Sequence, residues 1–250
     1  MSRHPLRFRR HARDLFDAGG GKILVIFDAD DTLWFTEPLY DDARAECRQI
    51  VESVGFDGAA WEAAQRVIDV ANVATFGLSI DRFPTSCVQA YLQLAGETSS
   101  PEIKTNLYST AQHVFDRFAP VADGVPEILE ELCHVVRLVL LTKGVTWVQE
   151  RRLKDARLEA VFSRVYIVEE KTSDAFATVL TEDGRDSSFA WSIGNSLASD
   201  INPALQLGLN GIWIPAYVWE HEMRETTPLP GSFFKVRNLS EARDVILSRI

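Results

Sequence analysis

The chain has little cysteine. Cys47, Cys87 and Cys133 are odd in number, scattered and never in C-x-x-C spacing, so neither a disulfide framework nor a zinc site is indicated, and a reducing cytoplasm suits the composition best. Long apolar runs are also missing. None approaches the roughly 20 residues of a membrane-spanning helix, and the longest have the length of buried strands. Arg3 to Arg13 is rich in Arg and His but lacks the apolar segment of a secretory signal, so it reads as a solvated extension or short helix rather than an address signal. Gly19-Gly20-Gly21 lacks the context of a phosphate-binding loop and precedes a strand instead of opening a helix, so it reads as a hinge. There is no internal repeat, no low-complexity segment and no H-E-x-x-H arrangement. Positive charge is in deficit: 26 Lys and Arg against 36 Asp and Glu leave a net charge of −10. That balance disfavours nucleic acid or an anionic membrane as partner, and an anionic substrate would need local cations to overcome it.

What is present begins at one junction. The apolar run Lys22-Ile23-Leu24-Val25-Ile26-Phe27 leads directly into Asp28-Ala29-Asp30-Asp31-Thr32-Leu33. Three carboxylates at the mouth of a buried strand are costly unless a cation or a reaction uses them. Strand side chains alternate, so Asp28 and Asp30 leave from the same face and can converge beyond the strand's carboxyl end, where open α/β sheets bind ligands.

At 250 residues the chain can hold one large α/β domain, or a main domain with a small insert. Four further apolar segments repeat the strand theme: Arg137 to Leu141, Arg164 to Val168, Phe189 to Ile193 and Asn210 to Ile214. Helical segments are expected between them at Trp147 to Ala156, Ser173 to Leu180 and Asn202 to Leu207. The alternation predicts an α/β fold with a doubly wound parallel sheet and right-handed crossovers. From Thr36 to Ala119 the rhythm breaks into amphipathic helical patterns, predicted at Leu39 to Val54, from Asp57 as cap to Val70, from Pro84 or Thr85 to Leu94, and from Pro101 to Phe118. The expected organisation is therefore a core domain of residues 1–35 and 120–250 with a helical cap, residues 36–119, inserted over the strand ends.

Four sites in order now carry a family resemblance. Asp28-Ala29-Asp30-Asp31-Thr32 resembles the first motif of the haloacid dehalogenase superfamily, mostly magnesium-dependent phosphatases. Leu140-Leu141-Thr142-Lys143-Gly144 resembles motif two, Lys171 the motif-three lysine, and Gly194-Asn195-Ser196-Leu197-Ala198-Ser199-Asp200 motif four, while the helical insert is similar to the cap between motifs one and two. The resemblance implies Asp28 as the nucleophile that forms an aspartyl-phosphate and Asp30 as general acid and base. It implies Mg²⁺ held by Asp28, the main-chain carbonyl of Asp30 and the motif-four acid. Thr142 would donate to the phosphoryl group and Lys171 would neutralise charge there, with Lys143, Gly144 and Asn195 as further substrate contacts. Motif four departs from the commoner Gly-Asp start: Asn195 replaces the acid, so Asp200 is the preferred metal ligand and Asn195 supports phosphate or metal water.

The implied activity is hydrolysis of a small phosphorylated metabolite. A phosphomutase of the same fold also fits, as does a module that accepts phosphate on Asp28 without turnover; a dehalogenase needs no second acid at Asp30. The sequence sets neither the substrate nor the oligomeric state.

Several residues have simpler readings. Asp31 suits a turn, Thr32 a hydrogen bond within its loop, and Asp200, taken alone, the cap of a helix beginning near Asn202. His113 and His134 read as surface or core-edge residues. Arg82 and Phe83, in a loop before Pro84, are expected to contact substrate. Trp213, Tyr217 and Trp219, followed by Glu220-His221-Glu222, read as packing for the C-terminal loop.

Overall fold

The computed structural model describes residues 23–216 and 233–250. The expectations for Lys22, Arg3 to Arg13, Gly19 to Gly21 and Tyr217 to Glu222 lie outside the described residues. In chain order the elements are β1 (Leu24–Phe27), α1 (Glu37–Ser53), α2 (Gly58–Phe76), α3 (Arg82–Ala95), α4 (Pro101–Gln112), α5 (Val125–Cys133), β2 (Arg137–Lys143) and α6 (Thr146–Asp155). They continue with β3 (Arg164–Val168), α7 (Ser173–Asp183), β4 (Ala190–Gly194), α8 (Asn202–Gln206), β5 (Asn210–Trp213), β6 (Phe233–Lys235) and α9 (Leu239–Leu247). Chain contacts divide these into two compact units, Thr36–Ala119 and the remainder.

The remainder is built on one parallel sheet in the order β3-β2-β1-β4-β5-β6. β1 is central, and its four residues are all buried at 1% exposure or less. Each such side chain contributes about 1.5–3 kcal/mol on burial, enough for the strand to hold a costly carboxylate at its end. A strand covered on both faces reads as a continuous apolar run rather than an alternation, which is why β1 was legible. From β1 the chain winds first to β2 and β3, then returns to lay β4, β5 and β6 on the other side. The reversal falls between β1 and β4, the place where such sheets open a crevice at their carboxyl ends.

Thr36–Ala119 is helical throughout its core. Leu39, Ala43, Cys47 and Val51 form the buried stripe of α1, and Trp61, Phe83, Cys87, Tyr91, Leu107 and Ala111 complete the interior. Asp57 caps α2 by accepting from Ala59 N and Ala60 N at 2.8 and 3.1 Å. The expected helix ends shift: α2 runs on to Phe76, and α4 stops at Gln112, where one 3₁₀ turn, His113–Phe115, takes over. The expectation that Arg82 and Phe83 lie in a loop and meet substrate is corrected. α3 begins at Arg82, whose guanidinium pairs with Asp69 at 3.0 Å inside the unit, and Phe83 is wholly buried against Tyr40. A charged residue before Pro84 resembled an exposed loop because its buried partner sits thirteen positions away. All three cysteines are free thiols. No helix among the described residues is long and apolar enough to cross a membrane.

Candidate active site

Asp28 is fixed at the end of β1 by its own backbone, whose N–H donates to Ile193 O of β4 at 2.9 Å. The loop beyond it turns tightly: Thr32, Leu33 and Trp34 donate to Ala29 O and Asp31 donates to Trp34 O. Asp31 takes φ +59°, a left-handed turn position that Asp tolerates better than most residues, in keeping with its simpler reading. The Asp30 carbonyl is not among those acceptors.

The Thr32 hydroxyl donates to Asp28 Oδ2 at 2.6 Å, and its oxygen also lies 3.5 Å from Asn195 Oδ1. Lys171, buried in the loop after β3, places its ammonium between Asp28 Oδ1 and Asp200 Oδ1, the latter at 2.7 Å. Asp28, Lys171, Asn195 and Asp200 therefore converge from the carboxyl ends of β1, β3 and β4. Burial, and next the charge of Asp200, push Asp28 up to about 7 against the pull of Lys171 and Thr32. Burial also opposes the Lys171 charge, but the Asp200 and Asp28 carboxylates outweigh it and hold the ammonium protonated beyond its ordinary range.

Motif four folds back on itself after β4. A π-helical turn, Leu197–Ile201, carries Asp200 inward, where Oδ2 accepts from Ser196 N at 2.8 Å and its carbonyl accepts from Ser192 Oγ at 2.7 Å. Its simpler reading as the cap of α8 is corrected: Ile201 stands at that position, and Ser196 caps the π-helical turn before it, accepting from Ser199 N at 3.1 Å. Trp213 Nε1 donates to Asn195 O at 2.8 Å, so this aromatic anchors the motif-four loop.

From β2, Thr142 is buried at the strand end. Lys143 donates to Ser199 Oγ at 3.0 Å; burial, and then the charge of Lys171, lower it to about 8 despite the neighbouring carboxylates. Gly144 adopts φ +134°, a conformation that favours glycine, and a Cβ there would stand 3.2 Å from Gln149 Nε2.

Three residues that sequence reasoning missed surround Asp30. Trp34 Nε1 donates to Oδ1 at 2.7 Å, Gln149 Nε2 to Oδ2 at 2.7 Å, and Arg152 Nη1 lies 3.1 Å from both oxygens. Gln149 and Arg152 are buried on α6. Their only sequence signal is three-residue spacing on one helix face, in a segment otherwise polar enough to pass for a solvated surface.

A divalent cation fits this site. Two buried carboxylates share the ammonium of Lys171, and the donors are hard oxygens of the kind Mg²⁺ prefers. Asp28 and Asp200 would hold the ion, with the Asp30 carbonyl as the main-chain ligand that the resemblance implies.

No protein-family model and no curated protein matches the chain. Solved structures do. A haloacid dehalogenase-like family hydrolase from Xanthomonas campestris aligns over 97% of this chain and 96% of its own, at 24% identity and TM-score 0.77. The HAD hydrolase YfnB of Bacillus subtilis, bound to magnesium, aligns over 91% and 99% at 20% identity and TM-score 0.64. The L-2-haloacid dehalogenase of Xanthobacter autotrophicus aligns over 92% and 100% at 16% identity and TM-score 0.62. The chain thus has the α/β fold of the haloacid dehalogenase-like hydrolases.

Proposed function

We propose that the protein is a Mg²⁺-dependent phosphatase of the haloacid dehalogenase type, acting on a small phosphorylated metabolite. The observation that carries this reading is the buried Asp28–Lys171–Asp200 group, two carboxylates that share one ammonium, with a third carboxylate, Asp30, two residues beyond Asp28. Displacing a halide from carbon calls for neither a metal nor a second acid, since the halide leaves without a proton. Phosphate-ester hydrolysis calls for both, because its uncatalysed barrier demands a reduction on the order of 20 kcal/mol.

In this reading Thr32 and Lys171 orient Asp28, one of whose oxygens attacks phosphorus as the bond from phosphorus to the leaving oxygen breaks. For the first step Asp30 carries a proton in place of one of the donors that hold its oxygens; it gives that proton to the leaving oxygen, then takes one from the water that attacks the aspartyl-phosphate, so inorganic phosphate departs and Asp28 is regenerated. Thr142 donates to a phosphoryl oxygen, while Lys143 and Lys171 offset its charge in an otherwise acidic chain. Bound Mg²⁺ would supply further neutralisation of the phosphoryl oxygens and keep Asp28 ionised.

Hydrolysis of p-nitrophenyl phosphate with Mg²⁺, with EDTA and with Asp28→Asn tests the proposal, alongside halide release from a 2-haloacid. Metal-dependent phosphate release that Asp28→Asn loses is the expected result. Halide release without phosphate release would overturn it in favour of the dehalogenase reading, which the named activities of some structural neighbours support. Phosphate retained on an isomerised product would point instead to a mutase.

A further inference from the structure

We infer that Gln149 and Arg152 are positioning residues for Asp30, which tie the loop after β1 to α6 and the end of β2 and present the Asp30 carboxylate in one fixed orientation. The inference deepens the phosphatase reading and rests on it for its kinetic arm alone.

Asp30 is the more exposed partner, with 30% of its side chain accessible against 4% for Arg152. An accessible Asp on a tight loop has several rotamers open to it, and a proton must be moved within a few tenths of an ångström. Here each oxygen is held from two sides, Oδ1 by Trp34 and Arg152, Oδ2 by Gln149 and Arg152. Trp34 belongs to the same loop, so it cannot by itself set that loop against the rest of the sheet. Gln149 and Arg152 can, because both stand on α6.

Gln149 makes the second tie. Its Nε2 donates to Asp30 Oδ2 and also, at 3.0 Å, to Lys143 O, the carbonyl next to Thr142. The amide has one workable orientation: turned over, its oxygen would face two acceptors. In that orientation Oε1 is buried and has no partner among the described residues. A buried acceptor without a donor opposes folding, and an apolar side chain of the same size would avoid the deficit. An amide kept at that disadvantage is explained by what its nitrogen holds. The close approach of Gly144, whose Cβ would press on this same nitrogen, shows how closely the loop after β2 is built around it.

The test uses Gln149→Leu, Arg152→Ala and Arg152→Lys in the full chain, with Gln149→Leu preserving volume should Arg152→Ala fail to fold. The first readout is the indole N–H resonance of Trp34, whose donor bond reports where Asp30 sits, together with a crystal structure of Gln149→Leu. The second is steady-state hydrolysis of p-nitrophenyl phosphate with Mg²⁺, with intact mass of the enzyme during turnover. The expected result is a shifted Trp34 resonance, kcat reduced by about tenfold or more at little-changed KM, and accumulation of phosphorylated Asp28. Arg152→Lys, whose ammonium can reach the same carboxylate, should recover more of kcat than Arg152→Ala. An unshifted resonance with Asp30 in place, or kcat within about twofold of the parent in both loss variants, would overturn the inference. If the parent protein releases no phosphate, the phosphatase reading fails, and the resonance and the Gln149→Leu structure alone decide whether the residues position Asp30.

Discussion

Gly194 leaves the space that the Asp200 carboxylate occupies: a Cβ on Gly194 would overlap Asp200 Oδ2, Cγ and Cβ. The last residue of β4 is therefore small so that a side chain six positions later can fold back beneath it and reach Lys171. The tie from Ser196 N to Oδ2 and the π-helical turn complete that reversal.

Gly194→Ala should destabilise the protein by about 1–3 kcal/mol, as overpacking of a filled site does. It should also weaken Mg²⁺ binding, because Asp200 cannot hold its place. Thermal unfolding with and without Mg²⁺ checks both, and an unchanged midpoint together with unchanged metal affinity would contradict this role for the glycine.

Lys171→Met removes the cation that two buried carboxylates share. Breaking a buried ion pair from one side costs about 3–5 kcal/mol, and the loss should be largest without metal. Added Mg²⁺ should restore more stability to this variant than to the parent, as measured by denaturant unfolding across a metal titration. Equal restoration in both would show that lysine and metal do not compensate the same charge.

Asp28 gives the metal-free protein a pH dependence of unusual sign. Its folded-state pKa of about 7 lies above the ordinary 3.8, so the folded chain holds a proton that the unfolded chain has released across that window. Stability from this group is fully present below pH 3.8, falls as pH rises towards 7 with a limiting slope of about 1.4 kcal/mol per unit, and is level above it. Asp28→Asn should flatten this slope, and Mg²⁺, which favours the anion, should stabilise the parent more at pH 8 than at pH 5. Unfolding midpoints collected in EDTA and in Mg²⁺ over that range would read both effects.

Arg82→Ala should lower the unfolding midpoint through loss of its buried pair with Asp69, at a cost of about 3–5 kcal/mol. KM for p-nitrophenyl phosphate should stay within about twofold in the protein that folds. A selective rise in KM without destabilisation would restore the substrate contact that the sequence suggested.

Residues whose position follows from the backbone were legible in the sequence. A short continuous apolar run such as Leu24 to Phe27 has the length of a covered strand, and a carboxylate at the end of such a strand sits at the mouth of the sheet. β3 spans the same residues, Arg164–Val168, in sequence and structure, and the other strand limits differ by one or two. What escaped depends on partners distant in the chain. β6 is three residues at a sheet edge, too short to show a period, and α5 and α9 carried no motif to draw attention to them. Gln149 and Arg152 lie about 120 positions from Asp30, and nothing in a single sequence pairs a polar residue on a helix with a carboxylate on a remote loop. Arg82 erred in the opposite direction, since charge suggested solvent where a buried Asp awaited it.

Phosphoryl transfer through Asp28 is the central claim, and the most direct measurement is mass analysis of Asp30→Asn incubated with p-nitrophenyl phosphate and Mg²⁺, followed by peptide mapping. The account predicts one added phosphoryl group on the peptide that contains Asp28, accumulating because the group that activates water is gone, and absent when Asp28→Asn is introduced as well. Phosphate release by the parent protein with no phosphorylated Asp28 in this variant, or release that persists in Asp28→Asn, would contradict it.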